Sequence, residues 1–249
     1  MDEQKLSLPS ALLFSSKEEI KMEIEYSFII PTRNEEGYLK GCMDSVKSQT
    51  VKNWEMIVVD GLSTDATARL AKEAGAKVVY EKRKGPSVAR NAGARNAHGR
   101  ILIFADADVR FPHDFLERLC MIKGGCIFDL KFWDASVFAN ATFAAWNVTI
   151  RLLMKAGVTI TNGSCLAFDS VTFNKIGGFR DDLLTNEDHD IAIRSAKAGG
   201  FFFCPLKVLT SARRIKKSGV IAYLRMHFRN TKNYMIHNSS NPEYWDYGK

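Results

Sequence analysis

Four short apolar runs, with helical patterns between them, set the tightest limit on how this chain can fold. They are Tyr26-Ser-Phe-Ile-Ile-Pro31, Glu55-Met-Ile-Val-Val-Asp60, Lys77-Val-Val-Tyr80 and Arg100-Ile-Leu-Ile-Phe-Ala105. Each has strand length, and their near-continuous apolar character marks strands buried on both faces. Between them, Gly37–Gln49, Thr64–Ala74 and Ser87–Ala97 read as helices. The second carries Ala66, Leu70 and Ala74 on one face and stops at Gly75. This alternation predicts an α/β fold with a mostly parallel central sheet and helices on both faces. Ligands of such sheets bind outside the carboxyl ends of the strands.

The second half is less regular. Residues 131–161 are aromatic-rich and charge-poor, which fits a helical flap or extra packing. Ser164–Phe168 reads as a strand, Ile176–Phe179 as a tight turn, Asp188–Ala198 as a helix and Phe201–Phe203 as a short strand. The simplest division is a polar lead-in at 1–23 with a short helix around Lys17–Met22, one domain at 24–212, and a basic extension at 213–249. Within that extension Val220–Asn233 reads as an amphipathic helix. It is apolar at Val220, Ile221, Leu224 and Phe228 and basic at Arg225, Arg229 and Lys232. Core packing is its first expected use and interfacial membrane binding its second.

A hydrophobic content of 46% with 25% charged residues excludes wholesale disorder. The five cysteines are an odd count with no C-x-x-C pair, which argues against a disulfide scaffold or structural zinc site and for a reducing compartment. No stretch reads as a secretory signal or membrane span; Ala135–Ile150 is interrupted by Asn140 and Asn147. A cytoplasmic protein is expected, with peripheral contact at the inner membrane face as an extension of that reading. The net charge of +7 is clustered. Lys82, Arg83, Lys84, Arg90, Arg95 and Arg100 form one group, and eight basic residues against two acids follow from Arg213 onward. Nucleic acid, a membrane surface and a phosphorylated small molecule are the candidate partners.

Acids collect where the strands end. The second strand runs into Asp60-Gly-Leu-Ser-Thr-Asp65 and the fourth into Asp106-Ala-Asp108. Two carboxylates one residue apart repel unless a cation neutralises them. Mg²⁺ or Mn²⁺ suits such oxygen ligands, while a polar turn explains the pair equally well. Asp60 by itself reads as a turn or helix cap and Arg90 as a solvated helical charge. Further pieces stand in order: Pro31-Thr-Arg-Asn-Glu-Glu36 after the first strand, Gly85-Pro-Ser-Val-Ala-Arg-Asn-Ala-Gly93, Gly177-Gly-Phe-Arg180 and Asn186-Glu-Asp-His-Asp190.

As an ordered set, P-T-R-N-E, D-G-x-S-x-D, G-x-x-x-A-R-N-x-G, D-A-D, G-G-F and E-D-x-D resemble the family 2 glycosyltransferases of GT-A fold, from about Phe28 to Ala198. The resemblance implies an inverting, metal-dependent enzyme with a nucleotide-binding half and an acceptor-binding half. Pro31, Arg33 and Glu35 would line the nucleotide pocket, with Asp60 at the base or ribose and Asp65 and Arg90 supporting them. Asp106 would reach the ribose, Asp108 the Mn²⁺ or Mg²⁺ on the diphosphate, and Asp188 would be the catalytic base. Glu187 falls on the acceptor side, and no role is implied for His189.

Chemistry agrees with these roles. A departing diphosphate needs its growing charge stabilised, and an acceptor hydroxyl needs a base. Arg213 and Arg214 are suited to close over a diphosphate. The expected donor is a nucleotide-diphosphate sugar; family frequency favours UDP and leaves GDP open. The expected acceptor is a glycan or lipid hydroxyl, since a polyprenyl phosphate, the alternative, is already ionised. A non-catalytic nucleotide- or nucleic-acid-binding module is the reading from another class. No G-x-G-x-x-G, P-loop or nucleic-acid motif supports it, and nucleic acid is not expected as a partner.

Overall fold

A computed structural model describes residues 24–119 and 122–237. The lead-in at 1–23, with its expected short helix, lies outside the described residues. The strands are β1 (Tyr26–Thr32), β2 (Trp54–Asp60), β3 (Lys77–Tyr80), β4 (Ile101–Ala105), β5 (Gly125–Phe132), β6 (Cys165–Asp169) and β7 (Phe201–Thr210). They form one sheet in the order β3-β2-β1-β4-β6-β5-β7. β6 runs antiparallel to both its neighbours, and every other pairing is parallel.

Alternation along the strands sorts the core into two layers. Phe28 and Ile30 of β1, Met56 and Val58 of β2, and Ile101 and Ile103 of β4 face one side. There they meet α1 (Glu36–Lys47) through Leu39, Cys42, Met43 and Val46, and α2 (Thr67–Glu73) through Ala71. Ile29, Ile57, Val59, Leu102 and Phe104 face the other side. That side is covered by α3 (Pro86–Arg95), α5 (Val137–Lys155), α6 (Ser170–Lys175) and α7 (Glu187–Ala198), which contribute Ala92, Ile150, Phe173 and Ile191 respectively. Full burial of each Val, Leu, Ile, Met or Phe among them is worth about 1.5–3 kcal/mol. A short helix, α4 (Phe115–Arg118), closes the first layer.

Close approach of α3 to the sheet depends on Gly93. A β-carbon there would sit 2.3 Å from Ile29 Cγ2 and 3.0 Å from Val59 Cγ2. This is the last glycine of G-x-x-x-A-R-N-x-G, so that motif residue answers to packing.

The second half departs from its sequence reading in three places. Residues 125–132 form a central strand, β5, whose first part had no strand assignment. The aromatic-rich stretch after it is the nineteen-residue helix α5. The strand expected to stop at Phe203 continues to Thr210 as the edge strand β7. Its Pro205 lies where the register against β5 shifts between Phe128 and Asp129, the kind of interruption in which an edge strand tolerates proline.

The basic segment packs on the domain. α8 (Arg213–Ser218) inserts Ile215 into a small cluster with Phe132, Ala212 and Phe143. In α9 (Val220–His237), Asn230 and Tyr234 are buried while Arg225, Arg229, Lys232 and Phe228 are exposed. The side chains of Val220, Ile221 and Leu224, the rest of the expected apolar stripe, lie outside the described residues. Among the described residues no helix is long and apolar enough to cross a membrane, and Cys42, Cys126, Cys165 and Cys204 are buried.

Candidate functional site

Strand order puts the chemistry at a switch point. β1 has β2 on one side and β4 on the other, so the connections leaving their carboxyl ends diverge and open a crevice. Thr32 is the register partner of Asp60, which brings the P-T-R-N-E and D-G-x-S-x-D segments together.

Side-chain hydrogen bonds zip these two loops. Asp60, fully buried, accepts from Ser63 N (3.1 Å) and Ser63 Oγ (2.5 Å). Asn34 N donates to Ser63 Oγ (2.9 Å), and Thr64 N returns a bond to Asn34 Oδ1 (2.8 Å). Asp65 accepts from Thr67 N (2.9 Å) and Glu36 N (3.2 Å), and Glu35 N donates to Thr67 Oγ1 (2.8 Å). Those bonds hold the Asp65 carboxyl below its ordinary range against its desolvation. Asn34 and Leu62 take φ of 55° and 60°, left-handed values that non-glycine residues adopt at a cost. Pro31 is half-buried at the strand end, and Arg33 stands exposed over Gly61. Asp60 and Asp65, expected at and behind the nucleotide, also fix the shape of these loops.

Arg90 is the hub between the two halves. It is 4% exposed, and its guanidinium meets Asp106 Oδ1 at 3.2 Å and Glu187 Oε1 at 2.6 Å. Burial opposes its charge, yet those two carboxylates raise its pKa. Glu187 is pushed up by burial and by neighbouring Asp188, with Arg90 pulling the other way. Sequence reasoning put Arg90 behind the nucleotide and Glu187 beside the acceptor; the structure pairs the two with each other. The next residue, Asn91, donates to Phe179 O (2.8 Å) and accepts from Phe179 N (3.0 Å). Gly178 permits this: its φ is +67°, and a β-carbon there would lie 2.7 Å from Asn91 Oδ1. The A-R-N and G-G-F motifs are therefore one contact seen twice.

At the second acid, Asp108 Oδ2 meets Arg213 Nε at 2.9 Å, and Oδ1 accepts from Thr210 Oγ1 at 3.3 Å. The same guanidinium forks onto Glu35 (2.6 and 2.8 Å) and lies 4.5 Å from the Tyr38 ring centre. Burial and then Asp106 push Asp108 up to about 6, with Arg213 and Arg214 opposing. Asp134 fixes this arm by accepting from Ala212 N (2.6 Å), Ser211 Oγ (2.9 Å) and Lys216 Nζ (2.9 Å). Arg213, expected on a diphosphate, here bridges Glu35 and Asp108, while Arg214 is exposed beside it. Tyr38, Thr210 and Asp134 carried no signal in the sequence.

The chemistry of this donor set fits a hard divalent ion. Asp106, Asp108 and Glu35 supply oxygens only, and their mutual repulsion is offset by a cation, Arg213. Among the described residues no three His, Cys, Asp or Glu side chains gather as a metal cage. Oxygen ligands of this kind suit Mn²⁺ or Mg²⁺, which are usually held by one or two carboxylates together with ligand phosphates.

Asp188 stands in the first turn of α7. Its Oδ2 accepts from Thr161 Oγ1, and its Oδ1 is 3.3 Å from His189 Nδ1. Burial opposes its charge, but His189, Thr161 and Arg90 together hold the carboxyl well below the usual range. His189 rises in return, its burial outweighed by Asp188. Gly163, at φ +71°, brings the preceding loop so close that a β-carbon would sit 3.0 Å from Asp188 Oδ2. α9 covers this end: Asn186 Nδ2 donates to Asn230 O (3.1 Å) and Tyr234 Oη to Asp190 Oδ1 (2.9 Å). Thr161 and Tyr234 are additions that the sequence did not mark.

Comparisons with known proteins agree with this geometry. Residues 27–121 match the family model described as Glycosyl transferase family 2. The chain is 36% identical over 110 residues to the putative teichuronic acid biosynthesis glycosyltransferase TuaG of Bacillus subtilis, covering 41% of this chain and 44% of TuaG. It is 38% identical over 96 residues to the glycosyltransferase GlyA of Streptococcus pneumoniae, covering 36% of this chain and 14% of GlyA. The chain thus spans less than half the length of these relatives. Among solved structures, the mannosyltransferase PcManGT from Pyrobaculum calidifontis in complex with GDP-Man and Mn²⁺ superposes with a TM-score of 0.59 at 22% identity, covering 82% of this chain and 64% of that one. S. aureus TarS 1-349 in complex with UDP-GlcNAc gives 0.61 at 18% identity, covering 75% and 58%. Residues 27–121 thus match the glycosyl transferase family 2 model, and the sheet they share with the rest of the chain has the GT-A fold of the solved structures.

Proposed function

We propose that the chain transfers a sugar from a nucleotide-diphosphate donor to an acceptor hydroxyl on a glycan or lipid, with inversion. The observation that carries this reading is the Arg90 bridge. It joins Asp106, at the strand end where a donor would lie, to Glu187, the neighbour of the proposed base. Donor and acceptor chemistry thereby share one mouth.

The donor enters over the zipped loops, with Pro31, Arg33, Glu35 and Asp60 around the nucleotide. When bound, Mn²⁺ or Mg²⁺ at Asp108 supplies Lewis-acid compensation for charge on the diphosphate. Arg213 turns from Glu35 and Asp108 to the phosphate oxygens, joined there by Arg214, since the guanidinium fork is well shaped for them. The acceptor oxygen attacks the anomeric carbon from the face opposite the diphosphate. The carbon–oxygen bond to the diphosphate breaks with its electron pair leaving on the phosphate. Asp188 takes the hydroxyl proton as an ionised carboxylate oriented by Thr161 and His189. UDP is the favoured nucleotide, and GDP keeps its place because solved relatives of this fold hold both.

Incubation with Mn²⁺ and a panel of sugar nucleotides, following nucleoside diphosphate release, tests the reading; release from none, with no metal-dependent donor binding, overturns it. Asp188→Asn should lower kcat about 10²–10⁴-fold with donor affinity intact. Equal loss of binding and turnover rules out Asp188 as the base. Survival of transfer to a polyprenyl phosphate in that variant would move the acceptor to the ionised class.

A further inference from the structure

Among the described residues, the outer face of α5 has no partner. One side of this helix packs on the sheet through Ala139, Asn147 and Ile150. The opposite side presents Val137, Phe138, Ala141, Ala145, Val148 and Leu152, spaced at three and four residues along four turns. Val137 is 88% exposed, Phe138 77%, Leu152 61% and Val148 51%. A continuous apolar strip of this kind is uncommon on a surface that meets only water.

Two further observations say what suits it. First, the polar groups on the strip are turned inward. Thr142 Oγ1 donates to Phe138 O (3.0 Å) and Thr149 Oγ1 to Ala145 O (3.0 Å), so both hydroxyls are satisfied within the helix. The arrangement leaves neither hydroxyl unpaired where the face meets hydrocarbon. Second, the border is basic. α5 holds no acidic residue in its nineteen positions. Lys155 is exposed at its end, and α8, packed beside Phe143, exposes Arg214 and Lys217. The nearby acids Asp129 and Asp134 are each in ion pairs, with Arg151 and Lys216.

We infer that α5 lies flat in the surface of an anionic lipid bilayer, apolar face inward, with Lys155 and the α8 cations at the headgroups. Thr161, the partner of Asp188, follows α5 by six residues, so docking would set the Asp188 mouth close to the lipid surface. The surface stands whether or not the sugar-transfer reading holds. It places the membrane contact on α5, a segment to which sequence reasoning gave no such role.

Vesicle sedimentation tests it with two lipid compositions, phosphatidylcholine alone and phosphatidylcholine with phosphatidylglycerol. The wild-type chain should pellet with the anionic vesicles and less at high salt. Val148→Glu/Leu152→Glu should lower partitioning about tenfold or more, since charge is costly on a lipid face. Val137→Glu/Phe138→Glu is an independent second pair, and Val171→Glu, on exposed α6, should change nothing. Wild-type protein that stays in the supernatant, or Glu pairs that still pellet while melting as wild type, overturns the proposal. So does a wild-type dimer that the Glu pairs convert to monomer, which would assign the strip to a second copy.

Discussion

Replacing Arg90 by Met should expose how the two halves of the site are held together. Arg90 and Glu187 are both buried, their ion pair is 2.6 Å long, and Asp188 adds a like charge next door. Removing one member of a buried pair leaves the other without compensation and costs about 3–5 kcal/mol. For a chain of this size each kcal/mol moves Tm by roughly 2–4 °C, so a fall of roughly 6–20 °C is expected in a circular-dichroism melt. Asp106 contributes less, because it keeps contact with water. The pH dependence has a definite sign. The folded pKa of Glu187 already lies above its ordinary 4.5, and losing Arg90 raises it further. A carboxyl with a raised folded pKa favours the folded state below its unfolded value and loses that contribution as pH climbs through the folded one. The defect of Arg90→Met should therefore be smallest near pH 5 and largest near pH 8. Adding Glu187→Gln removes the stranded charge and should recover most of the loss. A single variant melting within about 2 °C of wild type would refute the reasoning, as would a double variant no better than the single.

Gly93→Ala drives a methyl into Ile29 and Val59 and should cost about 1–3 kcal/mol, read as a lowered denaturation midpoint with unchanged slope. Gly178→Ala combines a left-handed backbone with a 2.7 Å approach to Asn91. It should destabilise by more than about 1 kcal/mol, and Asn91→Ala should relieve part of that in a double-mutant cycle. Thr161→Val removes a hydrogen bond that helps hold Asp188 low, so the acid limb of the pH–rate profile should move to higher pH; an unmoved limb would separate Asp188 from the titrating base. Glu35→Gln loosens the Arg213 fork and should weaken the closure of α8 over the site, seen as faster amide exchange around Arg213–Ser218.

How much of this was legible in the sequence depended on how far apart the contacting residues lie. The first four strands announced themselves, because burial on both faces leaves near-continuous apolar runs, and the acids after β2 and β4 marked the binding edge. β5 was masked by its Gly-Cys start and by Asp129 and Lys131, and β7 by Pro205 at the register shift; tertiary pairing, not local propensity, makes both into strands. The antiparallel direction of β6 is a property of its partners and leaves no trace in five residues. Within the site, the motif list gave the right neighbourhoods and left out the pairings. Arg90 and Glu187 are 97 positions apart, and Glu35 and Arg213 are 178 apart. Residue spacing carries no information over such separations, so each was read by itself, as a solvated charge or an acceptor-side acid. The structure turns two of the expected phosphate-binding and supporting arginines into counterions of the site's own carboxylates. That changes what the basic residues of the chain are for. Arg90 and Arg213 first make it possible to fold four acids into one crevice, and only the second of them, half-exposed on a short helix, is free to exchange that duty for a phosphate.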